Sequence, residues 1–110
     1  MSTASLTRTS ALSRLGRALA DDTRTRILLT LRAGPARPSQ LAQDLGVSKQ
    51  VMSNQLACLR GCGLVTATAE GRHVWYTLAD DRLGQALGEL LELTVAIDPD
   101  CCSAGGCTCA

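Results

Sequence analysis

Aromatic residues are scarce in this chain of 110 residues. It has no Phe, one Trp and one Tyr, so aromatic residues make up 2% of it. A chain of this length forms about one domain, and its core must be built from Leu, Val, Ile, Ala and Met. Aliphatic amphipathic helices with few aromatic residues suit a helical fold that shares apolar surface with a partner subunit.

Long apolar runs are also missing. No uninterrupted apolar stretch approaches the roughly 20 residues that a membrane-spanning helix needs. The first twenty residues spread Arg8, Arg14 and Arg17 among Leu and Ala, whereas a secretory signal has a basic cap followed by an apolar block. We therefore expect a soluble, cytoplasmic protein with no membrane partner.

A strong net charge is absent, because the formal charge at pH 7 is only +1. The charges are nevertheless unevenly distributed. Ten Lys and Arg stand against four Asp and Glu up to Ala79, and one Arg stands against six Asp and Glu from Asp80 onward. The first part of the chain could therefore face phosphates, and the second part could not.

Cysteine, in contrast, is abundant. Two of the six cysteines, Cys58 and Cys62, lie in the middle of the chain, and Cys101, Cys102, Cys107 and Cys109 crowd the last ten residues. A disulfide framework would usually spread its cysteines along the chain, and a reducing cytosol disfavours disulfides. The pattern therefore indicates metal binding or redox chemistry.

Apolar residues at helical spacing predict a first helix over residues 6–20. Asp22 is expected to be the N-cap of a second helix that Gly34 and Pro35 end. Asp80 is expected to cap a last helix that ends before Pro99. The apolar stripe of this last helix comprises Leu83, Leu87, Leu90, Leu91 and Val95.

The middle of the chain predicts two short helices joined by a tight turn. Pro38 and Ser39 can begin the first helix, which turns Leu41, Ala42 and Leu45 inward, and Gly46 ends it, since glycine adopts a left-handed conformation easily. Ser48 caps a second helix running to about Gly61. This arrangement is a helix-turn-helix.

Two β-prone runs follow, over residues 64–70 and 73–79, and Glu70, Gly71 and Arg72 join them. A hairpin directly after a helix-turn-helix is a wing. We therefore predict a mainly α fold with a small β-hairpin, a homodimeric winged helix-turn-helix, in which residues 1–98 form the DNA-binding and dimerisation domain.

The second helix of the pair has two different faces when its residues are placed about 100° apart. Its apolar side is predicted to hold Val51, Met52, Gln55, Leu56 and Leu59. Its opposite side holds Lys49, Gln50, Ser53, Asn54 and Ala57. Such polar side chains suit base edges and phosphates in a major groove, although a solvated surface face is the alternative.

The turn before this helix and the hairpin after it favour double-stranded DNA as the partner. Ser48 at the start of the helix belongs to the same predicted DNA-binding set. Arg72 at the hairpin tip would reach the adjacent backbone or the minor groove. We assign the only histidine, His73, to the wing or to a DNA contact, and not to a metal site.

Cys58 and Cys62 have i, i+4 spacing, which places them about 40° apart and one turn apart along a helix. Two thiolates arranged in this way can chelate one ion. Cys58 is predicted at the boundary of the two faces and Cys62 near the apolar side. Two small core residues are the alternative, because free cysteine is often buried.

Two thiolates do not complete a metal site, and the cysteines of the predicted tail could supply the rest. Residues 99–110 have too little apolar surface to pack, so we expect a flexible, Cys-rich metal-binding tail. An all-sulfur site selects thiophilic ions such as Cd(II), Pb(II), Hg(II), Cu(I) or As(III). Three thiolates suit Pb(II) and As(III) best, and four suit Cd(II) or Zn(II).

Four segments resemble one known family. They are LGRALADDTRTRIL at 15–28, SNQLACLRGCGLV at 53–65, EGRHVWYTLAD at 70–80 and ALGEL at 86–90. The chain resembles the ArsR/SmtB metal-sensing repressors, and within them the cadmium and lead sensors. The resemblance implies a homodimer built on the first and last helices. It also implies that the dimer represses without metal and releases DNA with it.

The resemblance further implies that Cys58 and Cys62 match the two sensor cysteines at the end of the recognition helix. In the cadmium and lead sensors, a third sensor cysteine comes from the C-terminal tail. Cys102 or Cys101 is the nearest match to it in this sequence. Two other family sites are not matched: QLAQDLGV lacks a Cys-x-Cys motif, and DDRLGQALGELLEL lacks histidine.

Other functions are compatible with the same sequence features. A repressor that responds to Hg(II) or arsenite, or a thiol redox-sensing repressor, would use the same fold. A metal-buffering protein is a further alternative. Enzyme activity is the least supported, because the sequence has no Cys–His dyad with plausible spacing, no Gly-rich phosphate loop and no carboxylate pair in a cleft-like context.

Overall fold

The computed structural model describes residues 3–94, with side chains from Thr7 onward. Within this range, five helices and one hairpin follow in the order α1 (Thr3–Leu19), α2 (Asp22–Leu31), α3 (Pro38–Leu45), α4 (Lys49–Gly61), β1 (Val65–Glu70), β2 (His73–Leu78) and α5 (Asp81–Thr94). The predicted winged helix-turn-helix is thereby confirmed. Val95 and the predicted tail of residues 99–110 lie outside the described residues.

Side-chain caps determine where the helices begin. The carboxylate of Asp21 accepts the backbone N–H of Arg24 at 3.0 Å, so Asp21 is the N-cap of α2. The prediction of Asp22 was wrong by one residue, because Asp22 is already the first helical residue. Asp80 precedes α5 and accepts the N–H of Arg82 at 2.8 Å, as predicted. The side chain of Arg82 also donates to Asp80 and lowers the pKa of this carboxyl to about 2.

The turn of the helix-turn-helix forms as predicted. Gly46 has φ 71°, a left-handed conformation that costs glycine little. It lets the N–H of Val47 donate to the carbonyl of Ala42 at 3.0 Å, which closes the end of α3. Ser48 then accepts the N–H of Val51 at 3.1 Å and starts α4.

The wing is an antiparallel hairpin attached to the helix-turn-helix. Glu70 pairs with His73, so Gly71 and Arg72 form the turn at its tip. An isolated bridge joins Ala36, just before α3, to Tyr76 on β2, with N–H to O distances of 3.1 and 2.8 Å. These two backbone hydrogen bonds tie the wing to the start of α3.

The core is aliphatic, as the composition predicts. Helix α2 contributes Ile27, Leu28 and Leu31, and α3 contributes the predicted Leu41, Ala42 and Leu45. Helix α4 packs into this core with its inward face, which comprises Met52, Leu56 and Leu59. Each fully buried Leu or Ile stabilises the fold by about 1.5–3 kcal/mol, so these side chains fix the position of α4.

Helices α1 and α5 use little of their apolar surface within one protomer. In the described part of the chain, α5 buries only Leu87, and α1 contributes only Ala18 to the core. Large apolar side chains therefore remain exposed on both helices, namely Leu12, Leu90, Leu91 and Leu93. No helix within residues 3–94 is long and apolar enough to cross a membrane.

Candidate DNA-binding face and thiol pair

The outward face of α4 carries the polar residues that the sequence predicts there. Lys49, Gln50, Ser53 and Asn54 are all exposed, and Ala57 continues the face. The amide of Gln50 donates to the side-chain oxygen of Asn54 at 2.9 Å. This hydrogen bond links two amides one turn apart, so the face presents an ordered pair of hydrogen-bonding groups. Amide side chains of this kind match the hydrogen-bonding edges of bases, adenine above all.

The structure corrects the predicted position of Val51 on α4. The sequence assigns it to the apolar side, but 41% of it is exposed. The inward face is narrower than the apolar pattern suggests, because only Met52, Leu56 and Leu59 of α4 are buried. Val51 therefore lies on the side of the helix, between the buried stripe and the polar face.

Ser48 and Lys49 lie where α4 begins. The hydroxyl oxygen of Ser48 accepts one hydrogen bond in the cap, which leaves its hydroxyl hydrogen able to donate to a phosphate. Lys49 is exposed next to the positive end of the helix dipole. The two residues together favour an anionic neighbour such as a phosphate.

The wing places Arg72 at its tip, exposed, as predicted. Strand β2 of the wing also makes a contact that the sequence did not predict. The guanidinium of Arg37 lies over the ring of Trp75, with its carbon 5.7 Å from the ring centroid. One terminal nitrogen of Arg37 also lies 3.3 Å from Nδ1 of His73. Arg37 thus joins the start of α3 to the wing.

The two cysteines are free thiols, and both are exposed. This exposure contradicts the alternative of two core residues. Cys58 is in the last turns of α4, and Cys62 is its C-cap residue, whose N–H donates to the carbonyl of Cys58 at 3.0 Å. The thiols therefore lie at the C-terminal end of α4, a turn apart.

Cys62, predicted near the apolar side of the helix, directly follows the last residue of α4, Gly61, and is exposed. Gly63 has φ 78° and reverses the chain. Leu64 then returns towards the core, and its N–H donates to the carbonyl of Leu59 at 3.0 Å. Leu64 takes the apolar position after the helix, and Cys62 is left facing outward.

Cys62 contributes to a shallow groove beside the first helix. The other lining residues come mainly from α1; they are Arg8, Ala11, Leu12, Arg14, Leu15 and Leu64. The groove is mostly apolar, and Leu12 in it is 70% exposed. The thiol pair therefore lies next to a helix that has unpartnered apolar surface.

The described residues supply only part of a metal site. Between residues 3 and 94, no group of three or more His, Cys, Asp or Glu side chains comes together. Two exposed thiols match the preference of thiophilic ions, but they leave such an ion short of ligands. His73 is in the wing, against Arg37. Cys101, Cys102, Cys107 and Cys109 lie outside the described residues.

A second unpredicted contact reaches α4 from α2. The guanidinium of Arg24 donates to the side-chain oxygen of Gln55 at 3.2 Å. It also donates to the carbonyls of Arg17 and Ala18, in the last turn of α1. No local pattern indicates the contact with Gln55, because the two residues are 31 positions apart.

Comparison with known proteins agrees with this geometry. Residues 21–67 match the family described as bacterial regulatory protein, arsR family. The HTH-type transcriptional regulator CmtR of Mycobacterium tuberculosis strain H37Rv is 59% identical over 93 residues, which are 84% of this chain and 79% of CmtR.

Solved structures give the same result. The NMR structure of the cadmium metal-sensor CMTR from Mycobacterium tuberculosis superposes with a TM-score of 0.66 and 58% identity, covering 80% of this chain and 92% of that one. The homodimeric winged helix-turn-helix domain Mb0332 from Mycobacterium bovis gives a TM-score of 0.79 at 25% identity, covering 86% and 88%.

Proposed function

The chain belongs to the arsR family of bacterial regulatory proteins, and we propose that it is a metal-responsive transcriptional repressor. In this proposal the metal-free homodimer binds double-stranded operator DNA. Binding of a thiophilic metal ion, with Cd(II) and Pb(II) as the favoured ions, then releases the DNA. Since the operator is in the compartment that holds the DNA, the proposal implies a cytoplasmic protein.

One observation carries the proposal: the polar face and the thiol pair are on the same helix. The face of α4 that offers Gln50, Ser53 and Asn54 begins at its N-terminal end, and Cys58 and Cys62 are at its C-terminal end. A metal ion bound by both thiols would act on the element that is proposed to bind DNA. Effector and operator would be coupled through one rigid body.

The charge of the described surface supports DNA as the partner. Lys49 at the start of α4 and Arg72 at the wing tip are exposed on the two elements that a winged helix-turn-helix uses. A dimer would present two such helices to half-sites about 34 Å apart, so we expect an imperfect inverted repeat as operator.

The ion is proposed from the donor set and from the relative. Two free thiols in the described part and four cysteines beyond it could together provide an all-sulfur donor set. The structurally similar CMTR is a cadmium metal-sensor. We propose Cys58 and Cys62 as ligands, with Cys102, and then Cys101, as the next thiolate. Hg(II), As(III) and Zn(II) are the alternative ions.

The dimer is proposed from the exposed leucines. Leu90 and Leu91 on α5 and Leu12 on α1 are at least 38% exposed. Burying them against a second copy would remove apolar surface from water on the two helices that the protomer core uses least. The homodimeric Mb0332 domain has the same fold, which supports this assembly.

A thiol redox-sensing repressor is the second candidate, and the observation that favours it is the exposure of both free thiols. Accessible thiols can be oxidised, and a disulfide or sulfenic acid at the end of α4 would also change DNA binding. Strictly reducing, anaerobic conditions separate the two, because metal-driven release persists there and oxidation-driven release does not.

The test is an anaerobic titration of the operator complex with Cd(II), followed by fluorescence anisotropy and by thiolate-to-metal absorption. The wild-type complex should dissociate as the absorption band appears. Cys58→Ser and Cys62→Ser should each bind operator like wild type but fail to release it, since serine is similar in size and a poor ligand for soft ions. Cys109→Ser is the matched control, and it should respond almost like wild type. A Cys58→Ser variant that dissociates at wild-type cadmium concentrations would exclude Cys58 as a required ligand.

A further inference from the structure

Arg24 joins three helices through one side chain. It is a residue of α2, and its half-buried guanidinium donates to the carbonyls of Ala18 at 3.2 Å and Arg17 at 3.0 Å, both in the last turn of α1. Its remaining terminal nitrogen donates to Oε1 of Gln55 on α4 at 3.2 Å. The guanidinium is planar, so three acceptors around it determine its orientation closely.

Gln55 shares one side of α4 with the two cysteines. At about 100° per residue, Gln55, Cys58 and Cys62 fall within about 60° of one another, and we call this side the thiol flank. Gln50, Ser53 and Asn54 are centred about 120° further round the same helix. Cys62 at the end of the flank lines a groove together with residues of α1, and Gln55 is joined to the end of α1 by Arg24.

The geometry is sensitive to small rotations of α4. Side-chain atoms lie about 5–6 Å from a helix axis, so a rotation of about 30° moves them by about 3 Å. Such a movement breaks a hydrogen bond of 3.2 Å between Arg24 and Gln55. It displaces Ser53 and Asn54 by the same distance, which is enough to break their hydrogen bonds to base edges.

We propose that Arg24 and Gln55 are positioning residues for DNA binding, which hold α4 at one rotation relative to α1 and couple that rotation to the thiol flank. The proposal rests on the proposed function, because it takes α4 as the recognition helix. A ligand that pulls on Cys58 and Cys62 would then act against the hydrogen bond between Arg24 and Gln55. Breaking that hydrogen bond would uncouple the recognition face from the first helix.

Two substitutions of Gln55 separate this role from a contribution to folding alone. Gln55→Met has similar length but no acceptor, so it removes the hydrogen bond with Arg24. Gln55→Glu keeps an acceptor and converts the hydrogen bond with Arg24 into an ion pair. Both are compared with wild type as full-length protein, using the DNA fragment upstream of its own coding sequence and Cd(II) as the metal.

Three readouts are measured: operator affinity without metal, operator affinity with Cd(II), and the thiolate-to-cadmium absorption titration. For Gln55→Met we expect a cadmium titration like that of wild type and a metal-free operator affinity at least about fivefold weaker. The ratio of metal-free to cadmium-bound affinity should fall by a similar factor. Gln55→Glu should retain the wild-type ratio within about twofold. Thermal unfolding confirms that each variant is folded.

Operator affinities of Gln55→Met that match wild type with and without cadmium would overturn the proposal. If Gln55→Met does not fold, Arg24→Lys replaces it, because it keeps the charge but cannot span three acceptors, and the same weakening is expected. Wild-type protein that binds operator but ignores Cd(II) would overturn the proposed metal response. In that case the metal-free affinities of the two Gln55 variants still decide the positioning role.

Discussion

At the scale of single residues, helix α4 separates two kinds of chemistry by direction. Exposed amides and a hydroxyl form its outward face, and free thiols lie on the thiol flank. Neither set is buried, so neither is needed to hold the core together. Substitutions in one set should therefore leave the other function and the fold almost unchanged, which makes the proposed roles separable by experiment.

Replacing Ser53 and Asn54 together with Ala should weaken specific operator binding by about 1–3 kcal/mol for each hydrogen bond to a base that the substitution removes. Both residues are exposed on the outward face of α4, so the free energy of unfolding should change little. Gln85→Ala, an exposed position on α5, is the control. Operator affinity measured by anisotropy checks this, and a double variant with wild-type affinity would remove Ser53 and Asn54 from the proposed interface.

At the scale of elements, the end of α4 determines how the thiols are presented. Cys62 is the C-cap, Gly63 reverses the chain, and Leu64 and Val65 lead into the core and the wing. The N–H groups of Gly63 and Leu64 donate to the carbonyls of Arg60 and Leu59 at 3.0 Å each. This hydrogen-bond pattern keeps Cys62 within one turn of Cys58.

Gly63→Ala should destabilise the protein by about 1–2 kcal/mol, because φ is 78° there and L-residues with a Cβ rarely adopt that conformation. Nothing lies within 4 Å of an added Cβ, so the cost is conformational and not steric. Gly63→Asn is the control and should cost less, since Asn tolerates left-handed backbone. The measurement is urea unfolding; equal stabilities for Ala, Asn and Gly would contradict the left-handed turn.

At the scale of the whole molecule, one protomer leaves apolar surface on its first and last helices. Leu90 and Leu91 of α5 follow the buried Leu87 at i+3 and i+4, so the apolar stripe continues past the protomer core. A second groove between α5 and α2 is lined by Leu19, Leu29, Leu90 and Leu91, among others. These surfaces are where the proposed dimer would form.

Leu91→Glu should dissociate the proposed dimer, since it would place a carboxylate in an apolar interface at a cost of at least about 2 kcal/mol. Operator affinity should fall with it, because an inverted repeat needs two recognition helices. Gln85→Glu adds the same charge to an exposed position on α5 and should remain dimeric. Sedimentation velocity gives the assembly state; an unchanged Leu91→Glu dimer would place the interface elsewhere.

Deleting residues 101–110 should leave operator binding intact and reduce the cadmium response, because Cys58 and Cys62 alone leave the ion short of thiolates. Deleting only 107–110 should do much less, since it keeps Cys101 and Cys102. The two deletion variants are compared by measuring operator affinity as a function of metal concentration. A longer deletion that responds like wild type would favour a two-coordinate ion such as Hg(II) at Cys58 and Cys62.

The order of the elements followed from local chemistry. Pro38, Gly46, Ser48 and Asp80 each act within a few residues of the chain, so their effects are visible in the sequence, and the structure confirms each of them. The prediction of Asp22 as the N-cap of α2 was wrong because two adjacent aspartates can each cap this helix. The backbone conformation selects Asp21. The domain boundary at residue 98 and the ligands in the tail stay predictions.

The sequence by itself determined the winged helix-turn-helix, the polar face of α4 and the thiol pair, since periodicity and caps depend on near neighbours. Only the tertiary structure decided that Val51 and Cys62 face outward, because the width of a buried face depends on what packs against it. It also decided that Arg24 meets Gln55 and that Arg37 meets His73, across 31 and 36 positions. Contacts between such distant residues exist only once the helices and the wing have packed, so no local pattern predicts them.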